Sequence, residues 1–471
     1  MGLVLGALAL AIALIPLPTL ALLLGGGLVL ALPLIDPVFG LYWAVLSVPV
    51  QELVHLPGGL SYTQAAMLLA VGAWGLRVLA HPERRVAKGR LFPLWVALLW
   101  ALLLSTSFTP YARIASMKET LRWGEALLVW LIAINTLQRR WQVVGLVACL
   151  LIAPAVDAVI GLMQFLTGDG PAAFRITPEL PYVRAYGTIG QPNSFAGYLN
   201  MAWPLALALA IGTAVAGRTT NRAQRTNMAL LAACSLFFVL CSLLLAALAA
   251  SFSRGAWLGA AIGLAGMMLV QGRRAARWLM VGLGVGALVV ALGGAGLLPE
   301  ALAGRLASIA RNLALFDAGT ARVTPENFAV VERMAQLQAG WRMFLAYPLT
   351  GVGPGNYSAA YPDFAVLPWY ASRGHAHNYY LHMAAEAGIG GALAYLALLG
   401  GMSYQAIGSV RRANGTIRRS VTVGCCGIIA AVAGHELFEN LHALSMGIQL
   451  AAVWGLIHAL GQAEPADGAR V

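Results

Sequence analysis

Apolar runs long enough to cross a lipid bilayer recur along the chain, and they constrain its fold more than any other feature. Leu91–Phe108, Trp141–Phe165, Met228–Ala250 and Leu279–Leu298 are clear examples. A helical crossing takes about 20 mostly apolar residues, because every main-chain N–H and C=O must be bonded within the segment where water is absent. Of the 471 residues, 60% are hydrophobic and 10% charged, against about 25% charged in a soluble domain. A soluble fold of this composition would leave large apolar patches in water. The chain therefore reads as an all-α polytopic membrane protein. Its five cysteines (Cys149, Cys234, Cys241, Cys425, Cys426) fall inside apolar stretches with no pairing or metal-ligand spacing, and read as buried thiols. Met1–Leu34 is apolar but broken by Pro16 and Pro18 and followed by further spans. It reads as membrane-embedded rather than as a removed signal peptide.

The net charge of +12 does not point to nucleic acid: only Lys88 and Lys118 of the 30 basic residues are lysines, and no basic run is interleaved with aromatics. The charge is punctuated between spans instead. His81–Arg90, Gln138–Arg140, Arg218–Asn227, Gly272–Arg277 and Arg411–Arg419 together hold 16 of the 30 basic residues. The positive-inside rule puts these five short loops in the cytoplasm, with one span and its return between each and the next. The opposite loops are Thr109–Lys118, Gly168–Pro192, Ser251–Gly255, Pro299–Ala376 and Asn440–Ala443. Both termini come out cytoplasmic if Met1–Gly59 makes an odd number of crossings. About twelve helices are expected, with fourteen as the alternative count, the ambiguity being confined to the first fifty or so residues, where Pro and Gly interrupt the pattern. The resulting division is transmembrane helices with short loops over 1–298, a large outer loop over 299–376, transmembrane helices over 377–462 and a cytoplasmic tail over 463–471. Within the large loop, Thr324 as N-cap and Pro325 as first helical residue predict an amphipathic helix through Met334, Leu337, Trp341 and Leu345, stopping at Pro348. Its apolar face would pack on the membrane domain or on lipid.

Four outer segments are too polar for plain connectors. They are Arg184-Ala-Tyr-Gly-Thr-Ile-Gly-Gln-Pro-Asn193; Ser251-Phe-Ser-Arg254-Gly-Ala-Trp257; Arg333 with Trp341, Pro348 and Gly351-Val-Gly-Pro-Gly-Asn-Tyr357; and His375-Ala-His377-Asn378, which opens a span containing Glu386 and Gly388-Ile-Gly-Gly391. Arg184, Arg254 and Arg333 lie on the side where positive charge is disfavoured. A snorkelling anchor at the headgroups is one reading of such an arginine. A shared anion is the other, since guanidinium grips phosphate through a planar fork. Gly351–Tyr357 lacks the Gly-Lys-Ser/Thr of a nucleotide loop, leaving a plain turn or a backbone anion nest. His377 starts a helix, where the dipole lowers an imidazole pKa and suits a general base near neutral pH. His375 and His382 are weaker candidates, and His382, five residues on, is expected to face elsewhere. No His-Glu-x-x-His or acidic cluster suggests a metal.

His377-Asn378, nine residues, then Gly388-Ile-Gly-Gly391 resembles the signature of the O-antigen ligases: His, then Asn, Ser or Gln, nine residues, Gly-x-x-Gly. The resemblance extends to Arg184…Gly187-Thr188…Asn193, to Ser253-Arg254-Gly255…Trp257 and to Arg333…Trp341…Pro348…Gly351-Val-Gly353. It covers roughly Tyr182 to the last span, and the first 180 residues are similar only in being helical. It is shared with O-antigen polymerases and bacterial protein O-oligosaccharyltransferases.

The resemblance implies a GT-C-like, inverting, metal-independent glycosyltransferase of the bacterial inner membrane, with its active site on the periplasmic side. It would move a glycan from undecaprenyl diphosphate to a sugar hydroxyl of the lipid A core, in lipopolysaccharide assembly and without a cofactor. His377 would deprotonate or orient the acceptor, and Arg184, Arg254 and Arg333 would hold the diphosphate. Arg254 thus counts with His377 as catalytic, while Asn378, Asn193, Glu332 and Glu386 would support, the two carboxylates by orienting arginines or the histidine. A polymerase, a protein transferase and a lipid-glycan transporter are the alternatives; for the last, the sequence shows no internal repeat.

Overall fold

The computed structural model describes residues 16–462 apart from 52, 54, 57–59, 84, 177–180, 220–223, 296, 298–315 and 325–326. Met1–Ile15, most of the first part of the large loop and the expected tail over 463–471 thus lie outside the described residues. The regular secondary structure among the described residues is α-helical, apart from two short 3-10 turns, an isolated Arg175–Val183 bridge and a ribbon pairing β1 (His55–Leu56) with β2 (Leu60–Ser61). The helices are α1 (Leu17–Ile35), α2 (Val38–Ser47), α3 (Tyr62–Ala80), α4 (Phe92–Phe108), α5 (Arg113–Thr136), α6 (Arg140–Thr167), α7 (Pro192–Asn200), α8 (Trp203–Thr219), α9 (Gln224–Ala250), α10 (Arg254–Gln271), α11 (Arg273–Gly294), α12 (Phe328–Ala346), α13 (Tyr357–Phe364), α14 (Tyr379–Arg412), α15 (Thr416–His435) and α16 (Met446–Gly461). Among the described residues six helical segments are long and apolar enough to cross a membrane, with α7 and α8 together forming one of them, and four shorter apolar helices accompany them.

Helices α8, α10 and α15 form one closely packed group, and α4, α5, α14 and α16 another. The α10–α15 contact depends on small residues. A Cβ on Gly259 or Gly263 would press on the Ala431 carbonyl or the Ala431 side chain at 2.7–2.8 Å, so only glycine lets these backbones approach. The predicted basic loops fall where helices turn: the end of α5 clasps the 81–90 loop, with Asn135 Oδ1 accepting from Ala87 N at 2.8 Å. Arg418 of α15 donates to the Leu460 and Gln462 carbonyls at the end of α16. Some of these loops are tighter than the sequence suggested, because Arg273 already opens α11 and only Gly272 separates it from α10.

The helix predicted from Thr324 to Pro348 is α12, and it begins three residues later, with Asn327 at the cap. Thr324 still accepts the first helical bond, from Phe328 N at 2.9 Å, while Pro325 lies outside the described residues. Of the predicted apolar residues Met334 faces inward while Trp341 and Leu345 do not, so the helix has a packed face and a separate exposed apolar one. Val331, Met334, Ala335, Ala339 and Met343 are buried, whereas Trp341 and Leu345 are 50% and 59% exposed.

Helix α14 is broken at Gly388, whose φ of 65° and ψ of −171° are not helical. The Gly351–Tyr357 turn docks into that break. Val352 N and Gly353 N donate to the carbonyls of Ala385 and Glu386, at 2.9 and 2.8 Å, and Ile389 N donates to Pro348 O. A side chain at Gly388 would strike the Leu349 carbonyl. The Gly-x-x-Gly element is thus a socket for the preceding loop, and the positive φ favours glycine there.

Candidate active site

Arg184 is held by a turn and a helix start. Its Nε donates to Ser251 O at 2.8 Å, in the turn between α9 and α10, and its Nη2 donates to Asn193 Oδ1 at 2.8 Å. The segment around it is fixed from below: Asp157 accepts from Thr188 N and Oγ1 at 2.6 and 2.9 Å, and Gln164 accepts from Gly187 N. Asn193 sits in the first turn of α7, and its Nδ2 donates to Glu439 Oε2 at 2.9 Å. The other oxygen of Glu439 lies 2.8 Å from His375 Nε2. His375 Nδ1 in turn accepts from His377 N at 3.1 Å. These bonds fix the tautomer of His375: with Nδ1 as acceptor, Nε2 carries the proton toward the carboxylate. A continuous chain therefore runs Ser251–Arg184–Asn193–Glu439–His375–His377.

His377 precedes α14 in the left-handed region, at φ 51°, an uncommon conformation for a residue with a side chain. Next to it, Asn378 caps α14, its Oδ1 accepting from Leu381 N at 2.9 Å. The rings of His375 and His377 stand edge to face with centroids 4.2 Å apart. His377 Nδ1 is buried and has no hydrogen-bond partner among the described residues. Burial first, then the adjacent His375 and the positive charges of Arg333 and Arg373, push the His377 pKa far below its ordinary 6.5, with Glu439 opposing. The imidazole is thus neutral and able to accept a proton. For Glu439, burial alone would raise the pKa, but His375 and His377 more than offset it and hold the carboxylate ionised.

The three arginines singled out in the sequence come together. Burial, then Arg333 and Arg254, lower the Arg184 pKa to about 10, with Glu439 acting in the other direction. Arg184 remains charged at neutral pH. Arg254, first residue of α10, and Arg333 in α12 are exposed, and among the described residues neither makes a hydrogen bond or ion pair. Arg184, with the charges of Arg333 and Arg254 acting on it, leaves excess positive charge beside an unprotonated imidazole, which suits an anion and a hydroxyl respectively.

The supporting carboxylates stand elsewhere. Glu332 does orient an arginine, but it is Arg373, which donates to Oε1 through Nε and Nη2 at 2.8 and 2.6 Å. Glu386 reaches neither His377 nor an arginine among the described residues. It accepts from Gly355 N and Tyr357 N at 2.7 and 2.8 Å, so the anion nest of the Gly351–Tyr357 turn is filled by the chain's own carboxylate. His382 points to Glu386, at 3.5 Å, and toward the Tyr357 ring.

Glu439 is the residue that sequence reasoning missed. Its signal was the run His435-Glu-Leu-Phe-Glu439-Asn440 at the end of an apolar span, since carboxylates there are costly unless paired. The motif search for metal ligands also overlooked a discontinuous set: ligand atoms of His375, His377 and Glu439 lie within 4.8 Å of one another. In that set the Glu439 oxygens and the His375 nitrogens already bond within the protein, and the charges of Arg333 and Arg373 act on His377.

No curated protein matches the chain. Residues 236–396, which carry Arg254, Arg333, His377 and the Gly388 break, match the family described as O-antigen ligase, as the His377 motif had indicated.

Proposed function

We propose that this protein is an inverting glycosyltransferase that moves a glycan from a polyprenyl diphosphate, undecaprenyl diphosphate in bacteria, to a sugar hydroxyl of the lipid A core. The family match supports ligase or polymerase-type activity. The observation that carries the mechanism is a neutral His377, with an unpartnered Nδ1, beside guanidiniums gathered from three distant segments. The acceptor oxygen attacks the anomeric carbon as its proton passes to His377, and the bond from that carbon to the diphosphate oxygen breaks on the opposite face. The leaving diphosphate takes the electron pair as an anion, which Arg184, Arg254 and Arg333 stabilise without a proton donor. Three fixed positive charges would perform what a divalent cation performs elsewhere, and the reaction is read as metal-independent. The protein lies in the inner membrane with this site on the periplasmic face and the basic loops in the cytoplasm.

The test is reconstitution in liposomes with lipid-linked glycan, offering lipid A core, a second lipid-linked glycan or a pilin-like protein as acceptor. Transfer to lipid A core in the presence of excess chelator is expected. Transfer only to the second donor would make the protein a polymerase, and transfer only to protein an oligosaccharyltransferase. Translocation without any new glycosidic bond would make it a transporter, and loss of transfer restored by a divalent metal would remove the metal-free mechanism.

A further inference from the structure

Beside the candidate active site, α12 and the segment 368–373 enclose a cleft of about 470 Å³ whose walls include Phe328, Glu332, Trp369, Tyr370 and Arg373. This lies within the volume range of small-molecule sites, roughly 300–1,000 Å³. One part of the wall is aromatic. Phe328 and Trp369 pack with ring centroids 5.2 Å apart and planes inclined by 57°, and Tyr370 stands 69% exposed. The other part is a charge pair, in which Arg373 uses Nε and Nη2 on a single oxygen of Glu332. Among the described residues, Glu332 Oε2 and Arg373 Nη1 make no hydrogen bond, so the pair still offers an acceptor and donors.

This chemistry selects a ligand. A strongly charged one would meet a pair that is already neutralised. A wholly apolar one would bury that pair with its remaining hydrogen bonds unmade, at high cost. A sugar satisfies both parts, since its C–H face lies on aromatic rings while its hydroxyls take bonds from a carboxylate and a guanidinium. The cleft also lies near the site. Arg373 is two residues before His375, and its charge reaches His377. Glu332 is the neighbour of Arg333 on α12.

We propose that this cleft is a glycan subsite, holding sugars of the donor chain beyond the one at which the bond breaks. The assignment to the donor rests on the transfer reading above, with the diphosphate on Arg333 and the glycan leading from it along α12. The recognition of a sugar chain rests on the cleft alone.

Tyr370 tests it, because so exposed a ring can be removed without unfolding the protein. The full chain in nanodiscs is titrated with the lipid-free polysaccharide released by mild acid from the surface lipopolysaccharide of the producing cells. Tyr370→Ala is expected to weaken binding about tenfold and Tyr370→Phe by less than about twofold, the ring being what counts. In transfer assays with donors of one repeat unit or many, Tyr370→Ala should raise KM about tenfold for the long donor alone, with kcat unchanged. Unaltered polysaccharide binding in Tyr370→Ala overturns the subsite. An equal effect on both donor lengths, or a rise in acceptor KM instead, overturns its assignment to the donor. Tyr370-dependent binding by a wild-type protein that transfers nothing would keep the subsite and reject the transfer reading. Normal transfer with no Tyr370-dependent binding would do the reverse.

Discussion

The two ends of the helical bundle use arginine in opposite ways. At the end with the basic loops, Arg418 spends its donors on main-chain carbonyls at the end of α16, and Arg419 reaches Val410 O at the end of α14. These are helix C-termini, whose orphan carbonyls and dipole favour a cation. At the other end Arg184 is partly buried and shares Glu439 with two histidines, while Arg254 and Arg333 add like charge without a carboxylate partner among the described residues. The first arrangement lowers the free energy of the protein alone. The second raises it through mutual repulsion, a cost that a bound anion would relieve. A charge placed for structure is thus told from a charge placed for a ligand by whether the protein completes it.

The contrast can be broken most severely at the residue the positive cluster surrounds. His377→Ala should lower transfer by about a thousandfold, the scale of a lost general base, with donor affinity changed by less than about threefold; retained transfer in liposomes would remove His377 from the chemistry. Arg254→Lys keeps the charge but loses the fork, and a fall in kcat/KM of about a hundredfold is expected. Glu439→Gln keeps the shape and removes the charge that orders Arg184 and His375. About tenfold in kcat/KM should be lost, and an effect no larger than that of an outer-surface control would show that the bonding chain is idle.

Acidification should do less. The His377 pKa is depressed below its unfolded value, so the imidazole stays neutral in the folded protein as pH falls through 6.5. The free-enzyme kcat/KM should change by less than about twofold between pH 8 and pH 5 on account of this group, and a His-like arm near pH 6.5 would contradict the site's electrostatics. The same depression costs stability on acidification. The unfolded chain takes up a proton below pH 6.5 that the folded chain refuses, so the stability present above that pH is progressively lost as pH falls toward the folded pKa. The smallest effect belongs to the other end: Arg419→Lys should leave transfer within about twofold of wild type.

Much of this contrast was legible in the sequence. Charge between apolar runs marks the turns, because lipid forbids it elsewhere, and arginines in the four polar segments stand out for the same reason. The bonding of those arginines was not legible. Asn193 and Glu439 meet across 246 positions, and no periodicity along the chain records such a contact. The same holds for Glu332, which sits beside Arg333 in sequence yet bonds Arg373 across the fold. Hydropathy also did not separate the packed face of α12 from its exposed apolar one: Ala335 and Ala339 are buried while Trp341 is exposed. The break at Gly388 was visible only as a motif, its cause being the docked loop at 348–353.

The chain from Arg184 to Glu439 also has a consequence for biogenesis. A ribosome delivers Arg184 and Asn193 to the membrane long before Glu439 exists to receive them. Until the last helical hairpin inserts, the guanidinium has no buried counter-charge and His375 has no carboxylate. A nascent chain therefore lacks this bonding chain, and insertion of the hairpin that carries Glu439 is the step that completes it.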